Sequence, residues 1–194
     1  MKKRSVTNTS AAPSPSRAVL AVTSSSVEET QAFGERLGRV LQAGDVVALS
    51  GELGSGKTTL IQGIAKGLAR DPSTIKSPTF VLMREYPGDV PLVHIDAYRL
   101  AGASAASWLD IDLMFSPRKI TLIEWAERCE GALPAEHLTV QMTHVSAHRR
   151  RIELTSSDRR AREMIEQVKM SDTRLKTQDS SQALQEETDE TPGD

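Results

Sequence analysis

Residues 51–58 read Gly51-Glu52-Leu53-Gly54-Ser55-Gly56-Lys57-Thr58, which satisfies G-x-x-x-x-G-K-[ST] at every position. The run follows an apolar stretch, Asp45–Ser50, and opens a segment of helical apolar spacing from Lys57 to about Ala69. Average composition produces this pattern by chance in about one chain of this length in 100–200. Its strand-loop-helix setting makes chance rarer still. Glycines let successive backbone N–H groups converge where a Cβ would strike a phosphate oxygen. The helix that follows presents the positive end of its dipole to the same point. Lys57 then reaches the β- and γ-phosphates, and the Thr58 hydroxyl is placed to ligate Mg²⁺. The expected nucleotide-binding residues of this P-loop are Glu52, Leu53, Gly54, Ser55, Gly56, Lys57, Thr58 and Thr59.

A phosphate loop normally works with an acid at the end of a neighbouring strand. Two apolar runs end that way, Leu92–Asp96 (LVHID) and Ile120–Glu124 (ITLIE). Asp96 and Glu124 therefore both project at the carboxyl edge, where ligands collect. For each, the bland alternative is a helix cap or a surface ion pair. Spacing alone does not decide which of the two touches metal. Ser77-Pro78-Thr79 offers hydroxyls that could reach a γ-phosphate or its metal, as switch segments do; a plain turn with proline fixing φ is the alternative.

Apolar runs alternate with helical patterns along the rest of the body. Strands are expected over 18–22, 45–50, 79–84, 92–96, 119–124, 138–143 and 150–155. Ser26-Val27-Glu28-Glu29 has capping-box spacing and opens a helix expected to bury Val27, Phe33, Leu37 and Val40 and to end at Gly44. A broken helical stretch is expected over 104–115 and a basic amphipathic helix over 157–170. The expected class is α/β: a P-loop NTPase-like sheet with a largely parallel core, antiparallel edge strands, and helices on both faces. Pairing of the last two strands supplies the antiparallel extension at one edge.

Composition sets the limits. Residues 1–17 carry Lys2, Lys3, Arg4 and Arg17 and no acid, so a disordered basic extension is expected there. Residues 171–194 are acid-rich and read as a disordered tail, leaving a domain over 18–170. The chain's formal charge of −2 excludes a globally basic nucleic-acid binder. A single cysteine, Cys129, excludes an internal disulfide and fits a reducing, cytoplasmic setting. No apolar run nears the ~18 residues of a membrane span.

Weaker features read as structural. His144 and His148 lie in a strand-turn-strand without a nearby acid, and Trp125 reads as core rather than a base-stacking residue. Arginines at 149–151 and at 159, 160 and 162 read as a solvated face, with RNA or an acidic partner as the alternative.

Taken together, the ordered motifs GELGSGKTT, SPTF, HIDAYRL and LIEW, with a later Leu-Pro, resemble the bacterial TsaE (YjeE) family over about residues 23–155. Members are small P-loop ATPases needed for threonylcarbamoylation of tRNA adenosine 37. The resemblance implies ATP and Mg²⁺ as cofactors and TsaD and TsaB as partners, with tRNA met indirectly through that complex. It assigns Mg²⁺ to Thr58 and Glu124, a catalytic role to Asp96, a switch-like role to Thr79, and adenine contacts around Val27. Ser55 departs from the family's frequent alanine, a small-for-small exchange. Adenine preference rests on the resemblance alone, since no N-K-x-D guanine-reading motif exists in the chain. Two alternatives remain, a small-metabolite kinase and a nucleotide-gated binding module without significant turnover.

Overall fold

The computed structural model describes residues 18–100, 114–156 and 158–171. The expected extension over 1–17, the acidic tail beyond Ser171 and the helical stretch over 104–113 lie outside them. Within the described residues there are seven strands: β1 (Ala18–Ser24), β2 (Val46–Gly51), β3 (Met83–Tyr86), β4 (Leu92–Asp96), β5 (Ile120–Glu124), β6 (Leu138–His144) and β7 (Arg150–Ser156). Among the described residues three α-helices accompany them: α1 (Val27–Val40), α2 (Lys57–Gly67) and α3 (Arg159–Ser171).

The strands form one sheet in the order β1-β7-β6-β2-β5-β4-β3. Strands β6, β2, β5 and β4 run parallel, which makes the core of the sheet parallel. At one side β7 lies antiparallel between β1 and β6; at the other, β3 is antiparallel to β4. The fold is thus the expected α/β class.

The central strands are predominantly apolar because both faces are covered, His94 and Thr121 being buried polar exceptions ahead of the acids at the strand ends. Val47, Leu49, Ile120 and Leu122 pack with Phe33, Leu37, Ile61, Ile64 and Ile165 of the three α-helices. Val46, Ala48, Val93, Ile95 and Ile123 pack on the other side with Ala97, Met114, Ala126 and Cys129, largely from short 3-10 turns.

Two boundaries and the burial of one residue depart most from expectation. The strand expected over 79–84 begins only at Met83, because Val81 and Leu82 N–H both donate to Pro78 O and Leu82 sits at φ +63°. Proline fixes this turn, so Thr79 lies outside the ladder. Helix α1 stops at Val40, while Gly44 (φ +93°) serves the following turn and donates its N–H to Lys119 O. Val27 is 57% exposed rather than buried. The cap itself forms: Ser26 Oγ accepts from Glu29 N–H at 3.1 Å, and Glu29 Oε2 accepts from Ser25 N–H at 2.8 Å, one residue earlier than the usual box.

Helices α1 and α2 meet backbone to backbone. A Cβ on Gly38 would lie 2.2 Å from Ile64 O, and one on Gly63 would lie 2.2 Å from Gln31 O. Gly34 faces residues 60–64 and Gly38 faces 64–67, so the helices run parallel with their N-termini at the same end. Helix α3 buries Ala161, Met164, Ile165 and Val168, and Arg160 forks onto Asp45 at 2.9 and 2.6 Å. Much of the arginine cluster is engaged in such contacts: Arg151 bonds Glu153, and Arg150 donates to carbonyls of its own hairpin. Among the described residues, no helix is long and apolar enough to cross a membrane.

Candidate nucleotide site

The site lies at the carboxyl ends of the parallel strands, where β2 runs into the glycine loop and the loop into α2. Gly56 is the N-cap of α2 at φ +100°, a left-handed conformation a side chain disfavours, and it has no side chain to satisfy the helix's first N–H groups. At Gly51 a Cβ would lie 2.2 Å from Met142 O.

Lys57, only 4% exposed, donates from Nζ to Gly51 O (2.7 Å), Glu52 O (3.0 Å) and Ser55 Oγ (3.4 Å). Its fourth neighbour is the face of Trp125, 3.8 Å away. Burial pushes the ammonium below its ordinary range, against the pull of Glu124, Glu127 and Asp96. Every hydrogen-bond partner it has is neutral. Ser55, where the sequence departs from the frequent alanine, is therefore a partner of this lysine. Trp125 is half-buried at φ +59°, a conformation uncommon outside glycine; Tyr98 packs 4.9 Å from its ring, and Arg128 lies over both rings.

The two acids stand side by side, since the register pairs Asp96 with Glu124. Thr58 Oγ1 donates to Glu124, lying 2.8 and 3.0 Å from its two carboxylate oxygens. Asp96 Oδ2 accepts from Ser77 Oγ (2.5 Å) and Thr79 Oγ1 (2.6 Å), and Oδ1 accepts from Tyr98 N–H (2.9 Å). The Ser77–Thr79 segment is thereby tied to the end of β4. Around these groups lies a pocket of about 510 Å³, lined among others by Leu53, Gly54, Lys57, Thr58, Thr59, Thr79, Asp96 and Glu124. Glu52 is outside this lining and meets Lys57 through its carbonyl. A second pocket of about 290 Å³ shares Gly54, Gly56 and Thr59 and extends to Ser26, Val27, Thr30, Ala147, His148 and Arg150. The two together form one crevice.

The family model for threonylcarbamoyl adenosine biosynthesis protein TsaE matches residues 24–152, two thirds of the chain and all of the crevice. The chain belongs to the TsaE family. A Streptomyces coelicolor member, named tRNA threonylcarbamoyladenosine biosynthesis protein TsaE, is 49% identical over 114 residues, covering 57% of this chain and 76% of that one. A Bacillus subtilis protein of the same name is 35% identical over 146 residues, covering 75% and 90%. The crystal structure of Bacillus subtilis YdiB superposes with a TM-score of 0.68 at 31% identity, covering 80% of this chain and 97% of that one.

Within this TsaE-family crevice the structure gathers Lys57, Thr58, Thr79, Asp96 and Glu124 into one pocket and puts Val27 on the rim of the other. Sequence reasoning took His148 and Arg150 for structural or solvated residues and passed over Tyr98, Ala147 and above all His94, whose Nε2 lies 2.9 Å from Glu124 Oε1. The signal for His94 was available: a polar residue two positions before Asp96 in a strand otherwise apolar on both faces. His144 is no ligand candidate; its Nε2 lies 3.4 Å from Leu53 O.

Proposed function

We propose that the chain binds Mg–ATP in this crevice and hydrolyses it, as an ATPase acting with TsaD and TsaB in threonylcarbamoylation of tRNA. The observation that carries the reading is Lys57, a buried cation lined by neutral oxygens and an indole face and, among the described residues, lacking a bonded counter-charge. A phosphate chain on the glycine loop supplies that charge. The Thr58–Glu124 pair fits a cation beside it. Among the described residues no cluster of three or more His, Cys, Asp or Glu could hold a metal unaided, so Mg²⁺ at Thr58 and Glu124 would take its other ligands from phosphate oxygens and water. There the ion would neutralise charge developing on the phosphates.

The remaining roles belong to the chain's own groups. Lys57 stabilises charge on the transferred phosphoryl group. Asp96 Oδ2 positions the attacking water or takes its proton. Ser77 and Thr79, which now donate to that oxygen, are the hydroxyls through which the SPTF segment senses the γ-phosphate. The smaller pocket receives the base, with Val27 on its rim and the β6–β7 hairpin as its wall.

The test is phosphate release from Mg–ATP by the purified protein, alone and then with TsaB, TsaD and tRNA. Release that rises with the complex and is absent in Lys57→Ala supports the reading. Transfer of phosphate to an added metabolite would make the protein a kinase, and tight ATP binding without release in either mixture would make it a nucleotide-gated binder.

A further inference from the structure

Among the described residues Glu124 has two hydrogen-bond partners, Thr58 beside the phosphate loop and His94 away from it. His94 is fully buried, its Nε2 lies 2.9 Å from Glu124 Oε1, and its Nδ1 is buried without a hydrogen-bond partner among the described residues. An orphaned ring nitrogen costs free energy that leucine or valine at this point would not. The position is determined by the sheet: Asp96 pairs with Glu124 in register, and His94 lies two residues back on the same face of β4. It is not among the residues lining the pocket. Whatever it does for a ligand, it does through Glu124.

We propose that His94 is the positioning residue of the metal-holding carboxylate. Its Nε2–H holds Oε1, which fixes the carboxylate plane and keeps the group within reach of the Thr58 hydroxyl and the pocket. A carboxylate turns easily about its last torsion, where the energy wells are broad. With Thr58 as its one remaining partner, Glu124 would meet the cation in many orientations. Partners of this outer kind alter metal affinity by about 10–100-fold. The inference rests on the reading that Thr58 and Glu124 hold Mg²⁺.

Two substitutions separate positioning from packing. Glutamine carries its amide nitrogen about as far from the backbone as Nε2, whereas asparagine carries it only to the level of Nδ1. ADP binding is measured by calorimetry without metal and across a Mg²⁺ series, for wild type, His94→Asn, His94→Gln and Thr58→Ala, with melting curves to confirm folding. We expect metal-free ADP affinity within about threefold of wild type in both His94 variants. The Mg²⁺ concentration giving half the gain in affinity should rise about 10–100-fold in His94→Asn and return to within about threefold in His94→Gln. If the two variants respond to Mg²⁺ alike, in either direction, the positioning role is overturned. Should Thr58→Ala lose the Mg²⁺ response while both His94 variants keep it, this inference fails and the metal reading stands. Should wild type itself show no Mg²⁺-dependent gain, the metal reading fails and the inference with it.

Discussion

Lys57 shows how one side chain can be stable and poised together. Three neutral oxygens and an indole ring hold the ammonium, and each is a weaker partner than a phosphate. Lys57→Ala should lower ADP affinity at least about tenfold and abolish phosphate release, read by calorimetry and a phosphate assay. Because nucleotide draws Lys57 toward phosphate, Trp125 emission should change on ADP addition in wild type and stay nearly unchanged in Lys57→Ala. Asp96→Ala should bind ADP within about threefold of wild type yet turn over about 10²–10⁴-fold more slowly. Hydrogen exchange should also show less protection over residues 77–81, since two hydroxyls lose their acceptor. Lys57, Thr58, Asp96 and Glu124 were legible in the sequence because their chemistry is tied to a motif or a strand end. His94 was not, because a lone histidine in an apolar strand reads as core until its partner across the sheet is known. Trp125 packs against the core as expected, but its left-handed backbone also brings the ring onto Lys57, and sequence carries no sign of that torsion.

Elements bounded by strong local chemistry were legible, and those bounded by competition were not. Strand β4 and helix α1's start fall where expected, since an apolar run and a capping serine each act locally. Strand β3 starts late because the turn anchored on Pro78 O competes for the same N–H groups. Arg149, Arg151 and Arg159 are exposed as a solvated face requires, whereas Arg160 is not, and its partner Asp45 could not be foreseen because it lies 115 residues away in sequence. Helix pairing gives a prediction of its own. Gly38→Ala gains about 1 kcal/mol in helix propensity but drives a Cβ into Ile64 O, so urea unfolding should show a net loss of about 1–3 kcal/mol. A gain in stability would mean that α1 and α2 move apart more easily than their backbone contact implies.

At the scale of the molecule, the crevice draws together segments far apart in sequence: the start of α1, the glycine loop, the ends of β4 and β5, and the β6–β7 hairpin. Ligand binding should therefore stabilise the whole domain. ADP with Mg²⁺ at 100 times its Kd should add about 2.7 kcal/mol, a rise in Tm of about 5–11 °C, and chelation of the metal should reverse part of it. Cys129 reports the same cooperativity from the opposite face of the sheet. Burial, and then Glu127, push its thiol up, so labelling by a thiol reagent should be slow in the native protein and fall further with nucleotide. Rapid labelling of the folded state would place that face open to solvent. The parallel helices α1 and α2 carry one further meaning. Their N-termini sit at the two pockets, and the glycines hold their backbones in contact at a fixed distance. The pair fixes a spacing: the distance between the smaller pocket and the glycine loop is set by backbone against backbone, so a nucleotide bound as proposed would meet a gap whose length no side chain decides.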